Sequence, residues 1–240
     1  VDWCTGEVLE HAQIVKVMDL DAPTLAGVED VTISTDIWGC AATLDLSELG
    51  ISASDNCSPS VYIDYASTGG TVVYNPFNAC EAVEVVFDSP ANCQGPVVVS
   101  VTAEDCCGNY VTEEFNVTII DQVPPVVVAD EHTVVSLSAD GTAKIYAQTF
   151  DDGSHDGCGP IGMSVKRMST NCPAQDYFPP AGDDNTQYNE IVHFCCEDIG
   201  EDGMVQFRVC DDADCNGVTG TGGDNCNIAM VVVEVQDKLA

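Results

Sequence analysis

The chain has 240 residues, with 6 Lys and Arg against 40 Asp and Glu, a formal net charge of −34 and an isoelectric point near 4.1. A field of that sign excludes a binder of nucleic-acid backbone and repels an anionic membrane surface unless divalent cations bridge the two. Apolar residues make up 45% of the chain, enough for real cores, while the longest apolar runs, such as 228–233, are too short for membrane insertion.

The 33 valines, supported by Thr, Ile and Tyr, suit pleated half-buried surfaces. No long window repeats at the helical period, and short alternating runs are punctuated by Gly, Pro, Asn and Asp, which reads as all-β. In chain order the strands are predicted at 31–34, 42–46, 61–65, 71–74, 82–87, 97–103 and 110–119. A second set follows at 126–129, 133–137, 143–147, 163–167, 190–194, 205–209 and 228–236. Seven short strands per hundred residues is the count of an immunoglobulin-like sandwich. No basic segment followed by an apolar stretch opens the chain. It therefore reads as a mature protein or a piece of a longer one.

A period near 100 residues organises these strands. Ile14–Asp19 is an alternating strand ending in Asp and followed by Pro23; Asn116–Asp121 is another, followed by Pro124 and Pro125; Val232–Asp237 is a third. Inside the period, Ala42, Leu44, Leu49, Asp55 and Cys57 correspond to Ala143, Ile145, Phe150, Asp156 and Cys158, all at an offset of 101. Further on, Val101–Gly108 resembles Val209–Gly217, with Asn216-Gly217 and a Gly-rich insertion standing for the Gly108-Asn109 turn. Residues 1–18 are read as the terminal strand of a preceding repeat, 19–120 as one complete repeat, and 121–240 as a second with the start of the next seam. The expected architecture is a tandem of antiparallel β-sandwiches arranged end to end as a rod.

The motifs Asp55-Asn56-Cys57 (Asp156-Gly157-Cys158 in the second repeat), Ala103-Glu104-Asp105 with Gly108-Asn109, the strand Phe115-Val117-Ile119, and Asp121 followed by Pro124-Pro125 resemble the hyalin-repeat (HYR) immunoglobulin-like module. The tandem, cysteine-rich, acidic form is similar to the repeats of giant Bacteroidota cell-surface adhesins, the class that includes gliding adhesins. That resemblance implies an extracellular filament exported by the type IX secretion system.

Cysteine usage is heavy, with 14 in the chain, and points to an oxidising compartment. Disulfide candidates are Cys40, Cys57, Cys80, Cys93, Cys106 and Cys107 in the first repeat, and Cys158, Cys172, Cys195, Cys196, Cys210, Cys215 and Cys226 in the second. Connectivity is open, and bridges within repeats are expected. The odd count in the second repeat leaves one cysteine to be free, to pair between repeats or to meet another chain. Adjacent cysteines in strands point to opposite faces and take different partners. His193 lies near Cys195 and Cys196, but no Cys-x-x-Cys spacing supports zinc over disulfides.

Paired carboxylates are too common here to indicate acid–base catalysis. The four histidines are scattered, and no His-Glu-x-x-His, Gly-x-Ser-x-Gly or phosphate-loop motif occurs. An enzyme is not expected. In a sandwich of this kind the entering chain and two loops meet at one end. That end collects Asp19, Asp21, Asp55, Glu104 and Asp105 in the first repeat. In the second it collects Asp121, Asp151, Asp152, Asp156, Asp211, Asp212 and Asp214. Crowded carboxylates repel unless a cation intervenes, and Ca²⁺ accepts six to eight oxygens in flexible geometry. Calcium at the seams is therefore the one cofactor expected, the alternative being a solvated acidic surface.

The leading functional reading is a structural segment of an extracellular, cell-surface filamentous adhesin, holding an adhesive tip away from the cell for attachment and gliding. Its partners would be neighbouring repeats and a surface or glycan ligand at the distal tip. The alternatives are repeats that themselves bind glycan or protein through the long segments 176–189 and 216–227, and an accessory domain of a secreted hydrolase.

Overall fold

The computed structural model describes residues 4–8, 10–88, 93–169, 172 and 187–237. Two hydrophobic cores form. One is built from residues between Ala42 and Ile119, the other from residues between Val135 and Val235.

The first sandwich contains β1 (Thr24–Ala26), β2 (Val31–Ser34), β3 (Ala42–Asp45), β4 (Ser52–Ser54), β5 (Tyr62–Ser67), β6 (Thr71–Asn75), β7 (Asn78–Phe87), β8 (Val97–Glu104) and β9 (Tyr110–Ile120). One sheet has the order β2-β9-β8-β5 and the facing sheet β3-β7-β6, with β1 and β4 as a short ladder beside them. Alternation fixes which side is buried. Val99 of β8 and Phe115, Val117 and Ile119 of β9 share a core with Val85 and Phe87 of β7, and Val101 and Ala103 of β8 are fully buried on the same alternation.

The second sandwich repeats this plan with β10 (His132–Ser136), β11 (Thr142–Tyr146), β12 (Gly162–Arg167), β13 (Ile191–Cys195), β14 (Asp202–Cys210) and β15 (Cys226–Gln236). Its sheets are β10-β15-β14-β12 and β11-β13. In place of a counterpart to the β1–β4 ladder, Val126 and Ala129 make single bridges to His155 and Asp151. The strand order is that of an immunoglobulin-like fold, and the chain is all-β with two such sandwiches in tandem.

Three details differ from the sequence reading. The sandwiches are antiparallel except for one pair each: β2 lies parallel to β9, and β10 parallel to β15. β2 and β10 each run in the same direction as the last strand of their sandwich, so those edge ladders are parallel. The strand count is nine in the first sandwich and six among the described residues of the second, rather than seven in each. Finally, the alternating run at 14–18 lies in no strand, and Ile14, Val15 and Val17 are 95%, 75% and 89% exposed. Alternation expresses itself as a strand only where a ladder partner stands alongside.

The connection from β3 to β4 begins with a single 3-10 turn, Leu46–Leu49, and that from β11 with another, Ala147–Phe150. Each turn buries apolar side chains and aims the following acidic segment, 55–58 or 156–158, at the end of the sandwich where the chain enters. That is what positions the site.

Candidate functional site: the junction between the sandwiches

Inward alternation along β9 ends at Asp121, which is 5% exposed. Its Oδ1 accepts from Thr35 Oγ1 (3.1 Å), on the turn after β2, and from its own segment at Val123 N (2.9 Å). Its carbonyl accepts from Asn225 Nδ2 (3.2 Å) of the second sandwich. One residue is thus tied to both units.

Two more carboxylates close on it. Asp156 caps its own turn, accepting from Cys158 N at 2.7 Å. Asp211, at the end of β14 and 1% exposed, accepts from Ala213 N (3.1 Å), Asn225 N (2.9 Å) and Asn225 Nδ2 (3.0 Å). Oxygens of Asp121, Asp156 and Asp211 lie within 4.8 Å of one another. Burial pushes the carboxyls of Asp156 and Asp211 above the ordinary aspartate value. Charge from Asp121 adds to this at both, and charge from Asp156 at Asp211, against the lowering effect of their hydrogen bonds.

The entrance to the first sandwich carries the same construction. Asp19, Asp55 and Asp105 bring oxygens within 4.8 Å. Asp55 Oδ2 accepts from Cys57 N and Ser58 N (both 2.7 Å). Asp105 accepts from Cys107 N (2.7 Å) and Asn109 N (2.9 Å), and Asn109 Nδ2 spans to Asp105 (2.8 Å) and the Asp19 carbonyl (3.3 Å). Burial raises the Asp105 carboxyl, but its donors at Asn109, Cys107 and Gly108 outweigh burial and hold it below the ordinary value. A third cluster, Asp212, Asp214 and Asp224, lies in the loop between β14 and β15.

Of the acids singled out in the sequence, the structure brings together Asp121, Asp156 and Asp211, and separately Asp19, Asp55 and Asp105. Asp212 and Asp214 belong to the loop cluster. Asp151 caps Ser154 N (2.8 Å), exposed Asp152 joins no cluster, Asp21 accepts from Asn56 Nδ2 (3.0 Å), and exposed Glu104 ends β8 outside the triad. The register of the later segment also changes: Asp105 corresponds to Asp211, and the place of Asn109 is taken by Asn225 rather than by the Asn216-Gly217 turn. The Asp–Asn pair is four residues apart in one sandwich and fourteen in the other. The sequence signal was the final strand: aligning Asp121 with Asp237 places Asn109 on Asn225.

Four disulfides are formed, and two join the sandwiches. Cys40, just before β3, bonds Cys158, with Cα atoms 4.4 Å apart. Cys93, between β7 and β8, bonds Cys215, with Cα atoms 5.5 Å apart. This corrects the expectation of bridges confined to single repeats: the seam geometry brings the lower loops of the first unit onto the upper loops of the second. Gly157 stands so close to Gly39 that a Cβ on it would meet Gly39 backbone at 3.1 Å, so glycine lets these loops touch. Both Cys93 and Cys215 hold left-handed backbone, φ 62° and 60°, which costs about 1–2 kcal/mol per residue.

The other two bridges, Cys172–Cys195 and Cys210–Cys226, lie within the second sandwich. Cys57, Cys80, Cys106, Cys107 and Cys196 are exposed thiols rather than half-cystines. Cys195 is buried and bonded while Cys196 is exposed, so that adjacent pair does part to different surroundings; Cys106 and Cys107 sit in a turn, their sulfurs 3.9 Å apart. Because Cys195 is spent in a disulfide, it is no ligand for zinc beside His193. What lies there is a buried ion pair that the sequence reading missed: Arg167 to Asp198, at 2.6 and 2.9 Å. Arg167 also donates to the His193 carbonyl (3.0 Å) and stacks on Phe194. Of the proposed ligand-binding segment 176–189, only 187–189 fall within the described residues.

No protein-family model matches the chain, and no curated protein matches it. Solved structures of tandem immunoglobulin domains are similar to it. Hemolin, an insect immune protein, is 12% identical with a TM-score of 0.47, over 89% of this chain and 47% of that one. The N-terminal eight domains of Down syndrome cell adhesion molecule are 11% identical, TM-score 0.44, over 90% and 25%. A three-domain titin fragment is 8% identical, TM-score 0.41, over 89% and 65%. The chain thus spans about two thirds of the titin fragment and about half of hemolin, and its fold assignment rests on the strand order described above.

Proposed function

We propose that this chain is a stiff spacer segment of an extracellular multi-domain surface protein, whose role is to hold a binding end at a distance. The observation that carries the reading is the pair of disulfides crossing the junction, Cys40–Cys158 and Cys93–Cys215. A single flexible linker would let two sandwiches pivot. Two covalent bridges plus the shared residue Asp121 leave the junction little rotational freedom. Each bridge closes a loop on the order of 100 residues, for which chain entropy allows about 4–5 kcal/mol. Bridges of this kind persist in oxidising surroundings. The resemblance to Bacteroidota adhesin repeats adds the finer reading: a cell-surface filament serving attachment and gliding.

Small-angle scattering of the chain, oxidised and after reduction, tests this. An elongated two-domain particle is expected, with a spread of particle lengths that widens on reduction and in the double variant Cys40→Ser, Cys93→Ser. A compact particle, or scattering indifferent to the bridges, would remove the reading.

A cation at the junction is the second reading, favoured by the three converging carboxylates of Asp121, Asp156 and Asp211. The donor set is all oxygen and two of the acids are raised in pKa, which fits a hard cation such as Ca²⁺. Bound there, the ion would neutralise the repulsion and fix the angle further. Titration calorimetry with calcium should give heat for the parent chain and a clear loss for Asp156→Asn with Asp211→Asn. Equal traces would mean that these acids are only solvated.

A further inference from the structure

The junction is built from two halves, and the chain carries an unused copy of one of them. The receiving half consists of Cys158, two residues after the triad acid Asp156, and Cys215, between Asp211 and Asn225. At the entrance of the first sandwich the same positions are filled by Cys57, two residues after Asp55, and by Cys106 and Cys107, between Asp105 and Asn109. All three are exposed thiols. They belong to one patch, because Ser58 Oγ lies 3.1 Å from Cys106 Sγ and accepts from Cys106 N at 3.3 Å. The Asp–Asn clamp beneath them matches that of the stapled junction bond for bond.

We propose that Cys57, together with Cys106 or Cys107, is the receiving half of a second two-disulfide staple. Its partner is a preceding module of this chain's own kind, with cysteines placed like Cys40 and Cys93. The inference rests on the tandem reading proposed above. It adds that the covalent stapling propagates, so that consecutive seams are locked in the same way. In each bridge two thiols lose two protons and two electrons to a disulfide oxidant of the glutathione class, which is reduced to two thiols as one S–S bond forms.

The opposite end carries the complementary feature in reduced form. Cys196 follows β13 as Cys93 follows β7, and it is an exposed thiol. Its Sγ lies 3.6 Å from the carbonyl of Gly141, the residue at the position of Cys40. That end therefore offers one donor cysteine where the first sandwich offers two, and a following seam would carry a single bridge.

The test is a tandem duplication within the full chain: residues 1–120 followed directly by 19–240, oxidised in a glutathione buffer and mapped by non-reducing peptide mass spectrometry. The parent chain treated identically is the reference. The duplication adds six cysteines, of which four are expected in bridges. The expected new cross-links are Cys40 to Cys57, and Cys93 to Cys106 or Cys107, absent from the parent, with the thiol count rising by two instead of six. If the parent bridges Cys40–Cys158 and Cys93–Cys215 form in the duplicated chain while the added seam keeps its thiols, or closes Cys106 onto Cys107, the inference is overturned and the spacer reading stands. If those parent bridges are missing from both chains, the spacer reading falls and this inference with it.

Discussion

At the scale of single residues, the two acidic triads share a plan, but the pKa values of their acids are shifted in opposite directions. Burial and neighbouring charge raise Asp156 and Asp211, whereas hydrogen-bond donors lower Asp105. A raised acid favours the folded chain when protonated, so its contribution is present below the ordinary aspartate value and is lost as pH rises through the raised one. For Asp105 the order reverses: its contribution is present above the ordinary value and disappears as pH falls through the lowered one. Carboxyl-detected NMR titration without divalent ions should therefore show Asp156 and Asp211 titrating above the usual range and Asp105 below it. Added calcium should pull the first two downward. Three curves with the same midpoint would contradict the burial and hydrogen-bond pattern seen here.

At the scale of elements, each sandwich is held by the inward sides of its long strands. β14 and β15 bury Val205, Phe207, Val209, Val231, Val233 and Val235, all at 1% exposure or less. Removing a fully buried ring loses its transfer energy and leaves a cavity, so Phe207→Ala should cost about 3–5 kcal/mol. Phe77, on the β6–β7 turn, is 97% exposed, and Phe77→Ala should stay within about 0.5 kcal/mol of the parent. Denaturant melts of the two variants separate these outcomes. A matching loss for Phe77→Ala would show that its ring is covered in solution.

At the scale of the whole molecule, a net charge of −34 sets the background against which every local contact acts. Self-repulsion disfavours the compact state, and added monovalent salt screens it over roughly 8–10 Å at physiological ionic strength. The melting temperature of the chain should rise between about 10 mM and 150 mM sodium chloride with chelator present throughout. A flat or falling dependence would mean that the repulsion is already relieved in the fold. The same charge bears on the seams. At the junction between the sandwiches the bridges Cys40–Cys158 and Cys93–Cys215 lie beside the acids Asp121, Asp156 and Asp211, so covalent bonds hold together loops that their own carboxylates would push apart.

The sequence by itself determined the long core strands, the repeat and the acidic character of the seams, because these depend on local alternation and on positions a fixed interval apart, whereas the alternating run at 14–18 found no ladder partner. Ala42 and Leu44 announce the same core face as Ala143 and Ile145 whatever the rest of the chain does, and Asp121 marks the end of an inward-facing strand from its own neighbours alone. Which acids converge was decided only in three dimensions. Asp152 and Asp156 look equivalent in a string of acids, yet the turn after Phe150 leaves Asp152 exposed and sets Asp156 beside Asp211. The ten-residue difference between the Asp105–Asn109 and Asp211–Asn225 spacings hid the second clamp from a reading that ran forward from β14. The disulfide partners were equally out of reach. Pairing depends on the distance between Cα atoms, and Cys40 meets Cys158 across 118 positions only because the seam folds one unit's lower loops onto the other's upper loops.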